Sequence, residues 1–136
     1  MTYEHLLGLT NVVKSVVTTE NSALALKSGS LKVFATPAMI RLIEQSAAEL
    51  VDKNLPSELT SVGTALNVKH IAPTPIGMNV RAEVKIVSVD GRKIFFDVAA
   101  FDERGEIGRG THERFIVDRE KFQAKADEKL CAIPKS

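Results

Sequence analysis

Residues 35–55 read ATPAMIRLIEQSAAELVDKNL, and the fold follows from how this stretch must be used. Thr36 followed by Pro37 marks a helix start: a threonine oxygen can cap free backbone N–H groups, and a first-turn proline sacrifices no hydrogen bond. At about 100° per residue, Met39, Ile40, Ile43, Ala47, Leu50 and Val51 share one arc, while Arg41, Gln45, Glu49, Asp52 and Lys53 share the opposite one. Pro56 ends the pattern. The result is a helix of roughly 18 residues and about 27 Å, long enough to fill the concave face of a whole sheet. Glu44 breaks the pattern. It projects about 20° past Val51, at the rim of the apolar arc, where a carboxylate is partly desolvated.

The sheet is read from the flanking segments. Residues 9–19 (LTNVVKSVVTT) are β-branched and form a strand, and residues 20–32 are a small, polar loop with room for one helical turn. Beyond the helix, residues 60–71 (TSVGTALNVKHI) alternate. Val62, Thr64, Leu66, Val68 and His70 fall on one face, with Gly63, Ala65, Asn67 and Lys69 on the other. Residues 72–77 (APTPIG) turn the chain. Residues 79–89 form a strand whose phase flips at Val87 and Val89, the mark of a bulge, and Asp90-Gly91 is a hairpin signal. Residues 93–101 (KIFFDVAAF) are apolar on both faces and belong in the sheet centre. A last strand over residues 106–117 and a charged helix over residues 118–130 complete the chain. One long helix with one antiparallel sheet makes residues 1–136 a single α+β domain, most simply a hotdog fold, in which a curved sheet wraps the helix. One helix covers only one face of a sheet, so a homodimer is expected, with a tetramer as the larger assembly left open.

Composition sets the bounds. The chain has 136 residues, 44% apolar and 26% charged, with a net charge of +1. A balance so near neutral gives no case for nucleic acid or an anionic membrane as partner. No run approaches 18 apolar residues and no signal pattern opens the chain, so a cytoplasmic protein is expected. Cys131 is the sole cysteine; an internal disulfide is excluded, and the thiol is read as incidental. His5 has no motif around it, and no histidine–carboxylate spacing suggests a metal site.

Three polar residues point toward one interior: Thr36 at the helix start, Glu44 two turns on, and His70 at the end of the next strand. A carboxylate, an imidazole and a hydroxyl are a sufficient set for acyl transfer. Gly63 joins them, because a strand glycine admits a substrate to the backbone, whose N–H can hold an oxyanion. Each has a plainer reading: a helix cap for Thr36, a stripe-edge carboxylate for Glu44, a satisfied strand-end histidine for His70, a bulge for Gly63. Eight residues of helix also rise about 12 Å, so Thr36 and Glu44 cannot touch in a regular helix. Either the helix starts later or the two flank a substrate.

These same segments, VFATPAMIRLIE, SVGTALNVKHIAPTPIGMNV and VDGRKIFFDVAAFDERGEIGRGTHERFIVDREKF, resemble the fluoroacetyl-coenzyme A thioesterase family of hotdog proteins. The resemblance spans residues 33–125 and rests on V-G-T…H-x-A-x-T-P-x-G and I-G-x-G-T-H-E-R, in order. It implies that Thr36, Glu44 and His70 form a catalytic set and that Gly63 supplies an oxyanion contact. Arg114, in the T-H-E-R stretch, then reads either as a partner for a coenzyme A phosphate or as a support of the dimer. The implied activity is an acyl-CoA thioesterase, with Glu44 as nucleophile or water-activating base, and His70 moving protons. No metal or redox cofactor is implied; coenzyme A is part of the substrate. The rival enzyme, an enoyl-thioester hydratase, needs an Asp and His pair before the helix, where no histidine stands. The rival binder, a non-catalytic acyl-CoA protein, should have lost one of the four site residues. The family's fluoroacetate specialist carries an aromatic lid. Here residues 18–32 carry Leu24, Leu26 and Leu31 and no aromatic, so an aliphatic cover and hydrolysis of several short or medium acyl-CoA thioesters are expected.

Overall fold

The structure is a computed structural model describing residues 2–131. A 3₁₀ turn, Glu4–Leu6, precedes strand β1 (Thr10–Val16) and helix α1 (Thr36–Asp52). Strands β2 (Leu59–His70), β3 (Asn79–Asp90), β4 (Lys93–Asp102) and β5 (Gly105–Asp118) follow, and then helix α2 (Arg119–Cys131). The strands make one antiparallel sheet in the order β1-β3-β4-β5-β2. The sheet cradles α1, which is the hotdog arrangement.

The central strand is the one whose sequence is apolar on both faces. Ile94, Phe96, Val98 and Ala100 of β4 are buried beneath α1, while Phe101 on the outer face lies under the Arg81 guanidinium, 4.4 Å from its ring centre. Helix α1 buries Met39, Leu42, Ile43, Ser46, Ala47, Leu50 and Val51. Leu42 and Ser46 thus lie inside and Ile40 at the rim, so the buried arc sits further round the helix than hydropathy alone placed it. A serine is small enough to pass close to the sheet, and the Asn11 amide reaches the Ser46 carbonyl at 3.0 Å.

Three local features differ from the sequence reading. The N-cap is Ala35, with no side-chain cap hydrogen bond. Thr36 already has helical backbone as the first residue of α1, so its hydroxyl is free to face another element. The expected bulge near Val87 is present as a register shift between Ile86 and Ser88. A second lies in β2, between Gly63 and Ala65. The extra residue there, Thr64, reverses the alternation. Gly63 therefore pairs with Arg114 on the side that His112, Leu66 and His70 also face, and Val62 moves to the outer face. The lead-in is also part of the core: Tyr3 and Leu6 are buried, Leu6 completely. Helix α2 buries nothing. Among the described residues, no helix is long and apolar enough to cross a membrane.

Candidate active site

The polar residues singled out in the sequence fall into two clusters, both on the helix side of the sheet. The first joins Thr36 and His70. The Thr36 hydroxyl lies 2.8 Å from His70 Nδ1, a hydrogen bond in which one group donates and the other accepts according to the imidazole tautomer. His70 Nε2 is buried with no hydrogen-bond partner among the described residues. Burial holds the His70 pKa below its ordinary 6.5, with a backbone contact at Ala72 opposing, so the neutral ring is favoured. The pair lines a pocket of about 300 Å³ with Ala23, Ser28, Val33 and Phe34, at the small end of the range for ligand sites.

The three leucines expected to cover this pocket do not line it. Leu24, Leu26 and Leu31 face solvent, and beside Thr36 and His70 the wall is built from Ala23, Ser28, Val33 and the buried ring of Phe34, with Ile71, Ala72 and Pro73. The loop is tied to its surroundings by the backbone bonds Ala23–Val33, Ala35–Asn21 and Phe34–Thr74. Thr74 in turn donates its hydroxyl to Asp102 Oδ2 at 2.7 Å. The turn that follows His70 is therefore pinned to the end of β4.

The second cluster centres on Glu44. Its Oε2 lies 3.5 Å from Arg114 Nη1, with the glutamate side chain 44% exposed and the arginine 8%. A Cβ on Gly63 would stand 2.8 Å from the same oxygen, so only glycine lets the β2 backbone come this close to the carboxylate. His112 adjoins both, 3.3 Å from that Cβ position and 3.1 Å from Arg114 Nη1.

The structure thus brings Thr36 to His70, and Glu44 to Gly63 and Arg114, but does not bring the two clusters together. Helix α1 is regular throughout, so about 12 Å of rise separates Thr36 from Glu44, and about 20 Å of strand separates Gly63 from His70. Thr36, Ile40 and Glu44 lie at i, i+4, i+8 on one stripe. Opposite them, Leu66 and Val68 face inward from β2 and are only partly covered. Ser61 and His112 were not among the site candidates, although polar residues on the apolar face of a strand are themselves a signal. Among the described residues, no three His, Cys, Asp or Glu side chains are grouped to hold a metal ion.

Comparison with known proteins gives the family. The family model described as fluoroacetyl-CoA-specific thioesterase matches residues 17–120. The fluoroacetyl-CoA thioesterase of Streptantibioticus cattleyicolor is 41% identical over 101 residues, 74% of this chain and 73% of that protein. A solved variant of such an enzyme in complex with acetyl-CoA is 34% identical, with a TM-score of 0.85 over 90% of this chain and 97% of that one. A thioesterase superfamily member from Thermus thermophilus is 26% identical, with a TM-score of 0.83 over 93% and 96% of the two chains. The chain is a thioesterase of hotdog fold, and it belongs to the fluoroacetyl-CoA-specific thioesterase family.

Proposed function

We propose that the protein hydrolyses short acyl-CoA thioesters as a homodimer whose active sites take residues from both subunits. The observation that carries this reading is the Thr36–His70 hydrogen bond at the wall of a pocket of about 300 Å³, sized for a small acyl group. Glu44 either takes a proton from water as that water attacks the thioester carbonyl, or attacks the carbonyl itself. Direct attack forms an acyl-Glu44 anhydride that water then hydrolyses, releasing the acid and restoring the carboxylate. The carbonyl π electrons move onto oxygen, where the Gly63 N–H is the proposed donor. Collapse of that oxyanion breaks the C–S bond, and the thiolate leaves with a proton delivered through His70. Thr36 orients the His70 ring and the acyl group.

Two clusters so far apart need a second copy to meet. Among the described residues strand β2 is an edge of the sheet, a position at which a second copy can add its own strand. Antiparallel pairing of β2 with the partner's β2, centred on Asn67, keeps inward residues facing inward in both chains. With the extra residue at Thr64, this register sets His70 opposite the partner's Gly63. Thr36 and His70 of one subunit then share a site with the partner's Glu44.

The test is release of free thiol from a panel of acyl-CoA substrates. Several short acyl chains should turn over, with Glu44→Gln folded but slower by at least about 10²-fold. The kcat/KM ratio for fluoroacetyl- over acetyl-CoA should stay below about 10³, or roughly 4 kcal/mol. The single ring of Phe34 is a common wall for both acyl groups, and residues 18–32 add no second one. A Glu44→Gln variant as fast as wild type would refute the catalytic assignment.

A further inference from the structure

The buried guanidinium of Arg114 is held from three sides. Its Nε donates to Ser61 Oγ at 2.8 Å and its Nη2 to the Ser61 carbonyl at 3.1 Å. Its Nη1 donates to His112 Nε2 at 3.1 Å and faces Glu44 Oε2 at 3.5 Å. His112 is fixed in its turn. Its Nδ1 lies 2.8 Å from the Ala65 carbonyl, and its ring stacks on Phe96 with centroids 5.7 Å apart. A ring that gives a proton to a carbonyl at Nδ1 and accepts one from a cation at Nε2 is neutral and in a single tautomer. Ser61, His112 and Arg114 are all buried, whereas Glu44, the group they converge on, is 44% exposed.

We propose that Arg114 is the positioning residue for Glu44, and that His112 acts through Arg114 as a neutral hydrogen-bond acceptor that sets the guanidinium plane. The chain of contacts runs from Ala65 and Phe96 to His112, from His112 and Ser61 to Arg114, and from Arg114 to the carboxylate. A coenzyme A phosphate has no place in it. Three of the five N–H groups donate to protein acceptors and a fourth faces Glu44, and with the side chain only 8% exposed little of the guanidinium is open to a phosphate. An Arg here does what a Lys cannot: the planar fork engages Ser61 at two points while a third nitrogen faces the glutamate. The inference rests on the thioesterase reading of Glu44.

Three measurements decide it. Arg114→Gln should lower kcat about 10²-fold, the scale of a misplaced catalytic group, while KM changes little. The loss should be the same on acetyl-CoA and on acetyl-pantetheine, which lacks the nucleotide phosphates. In a Glu44→Gln background, adding Arg114→Gln should cost little more, because its only route to the reaction is already gone. His112→Phe keeps the stack but removes the acceptor and should slow turnover, and His112→Gln, which restores an acceptor, should recover much of the loss. A KM rise confined to acetyl-CoA would show phosphate binding and overturn the proposal, as would full additivity with Glu44→Gln. If Arg114→Gln fails to fold, the His112 pair carries the same test with the charge in place. A wild-type protein inert toward every thioester would instead overturn the thioesterase reading. In that case a crystal structure of Arg114→Gln or of His112→Phe decides: Glu44 displaced from Gly63 supports the positioning role, and Glu44 unmoved refutes it.

Discussion

Gly63→Ala should separate catalysis from stability. The new methyl would lie 2.8 Å from Glu44 Oε2, with His112 Cε1 at 3.3 Å and Arg114 Nη1 at 3.4 Å. An ordinary contact needs about 3.4 Å or more, so the carboxylate must retreat by about 0.6 Å. Glu44 is 44% exposed and can move outward by this amount, while the buried Arg114 guanidinium keeps its hydrogen bonds to Ser61 and His112. The alanine itself fits extended backbone and gains about 0.5–1 kcal/mol over glycine in a strand. Stability should therefore hold or rise slightly, with a change in Tm of no more than a few degrees. Turnover should not hold. A displacement of about 1 Å costs on the order of 10²-fold, so a shift of about 0.6 Å should cost between about 10- and 10²-fold in kcat. Thiol release from acetyl-CoA gives the rate, and a thermal melt gives the stability. A folded Gly63→Ala enzyme within about twofold of wild-type kcat would refute both the closeness of the β2 backbone to Glu44 and the catalytic role of that carboxylate.

Other outcomes follow from single contacts. In β5, a Cβ at Gly110 would run into the backbone of Asn67 and Val68, whereas one at Gly108 meets the flexible Met39 side chain at 2.6 Å. Gly108→Ala should cost about 1–3 kcal/mol by overpacking and Gly110→Ala clearly more, as read from thermal melts; equal Tm losses would contradict this. Burial alone would raise the Asp102 pKa, but the Thr74 hydroxyl and the Arg104 and Gly105 N–H groups outweigh it and leave it below 3.8. Its contribution to stability is thus present above pH 3.8 and lost as pH falls through the folded value. Asp102→Asn should be destabilised by about 1–3 kcal/mol at pH 7, with the gap to wild type closing in strong acid; a gap independent of pH would contradict the assignment. His70 should titrate with a midpoint below 6.5 by NMR. The unfolded chain then binds the extra proton first, and this site costs stability as pH falls below 6.5. A midpoint above 6.5 would mean that the ring is not desolvated as described.

Much of this was legible in the residues. The 3.6-residue stripe of α1 and the two-faced apolar run of β4 fix what packs on what, and both carry their signal locally. Glu44 stood out because it interrupts such a stripe. The phase flip at Val87 announced its bulge through hydropathy alone. The bulge at Gly63–Thr64 was legible only as the plainer reading of Gly63, and its effect on the strand's faces was not: Thr64 gives its hydroxyl to Glu113 Oε2 at 2.6 Å across the strand pair. Without that contact in view, simple alternation put Gly63 on the face opposite His70. The Thr36 hydroxyl was assigned to the helix end because capping is the local rule, and its actual partner is 34 residues away. Leu24, Leu26 and Leu31 were assigned to the pocket because leucines usually are buried. In this chain the small Ala23 and Ser28 reach it instead. Tyr3 and Leu6 went unnoticed in a segment too short to show a period.

The central claim is that Thr36 and His70 of one subunit and Glu44 of the other work on one thioester. Co-expression of Thr36→Ala and Glu44→Gln chains with different tags tests it directly. Each variant alone should be nearly inactive. In a mixed dimer, one site carries both substitutions and the other carries neither. Thiol release by the purified mixed dimer should therefore recover to about half of the wild-type rate per dimer, as two independent sites require. A mixed dimer as inactive as its parents would contradict the shared site and confine each set of residues to its own chain.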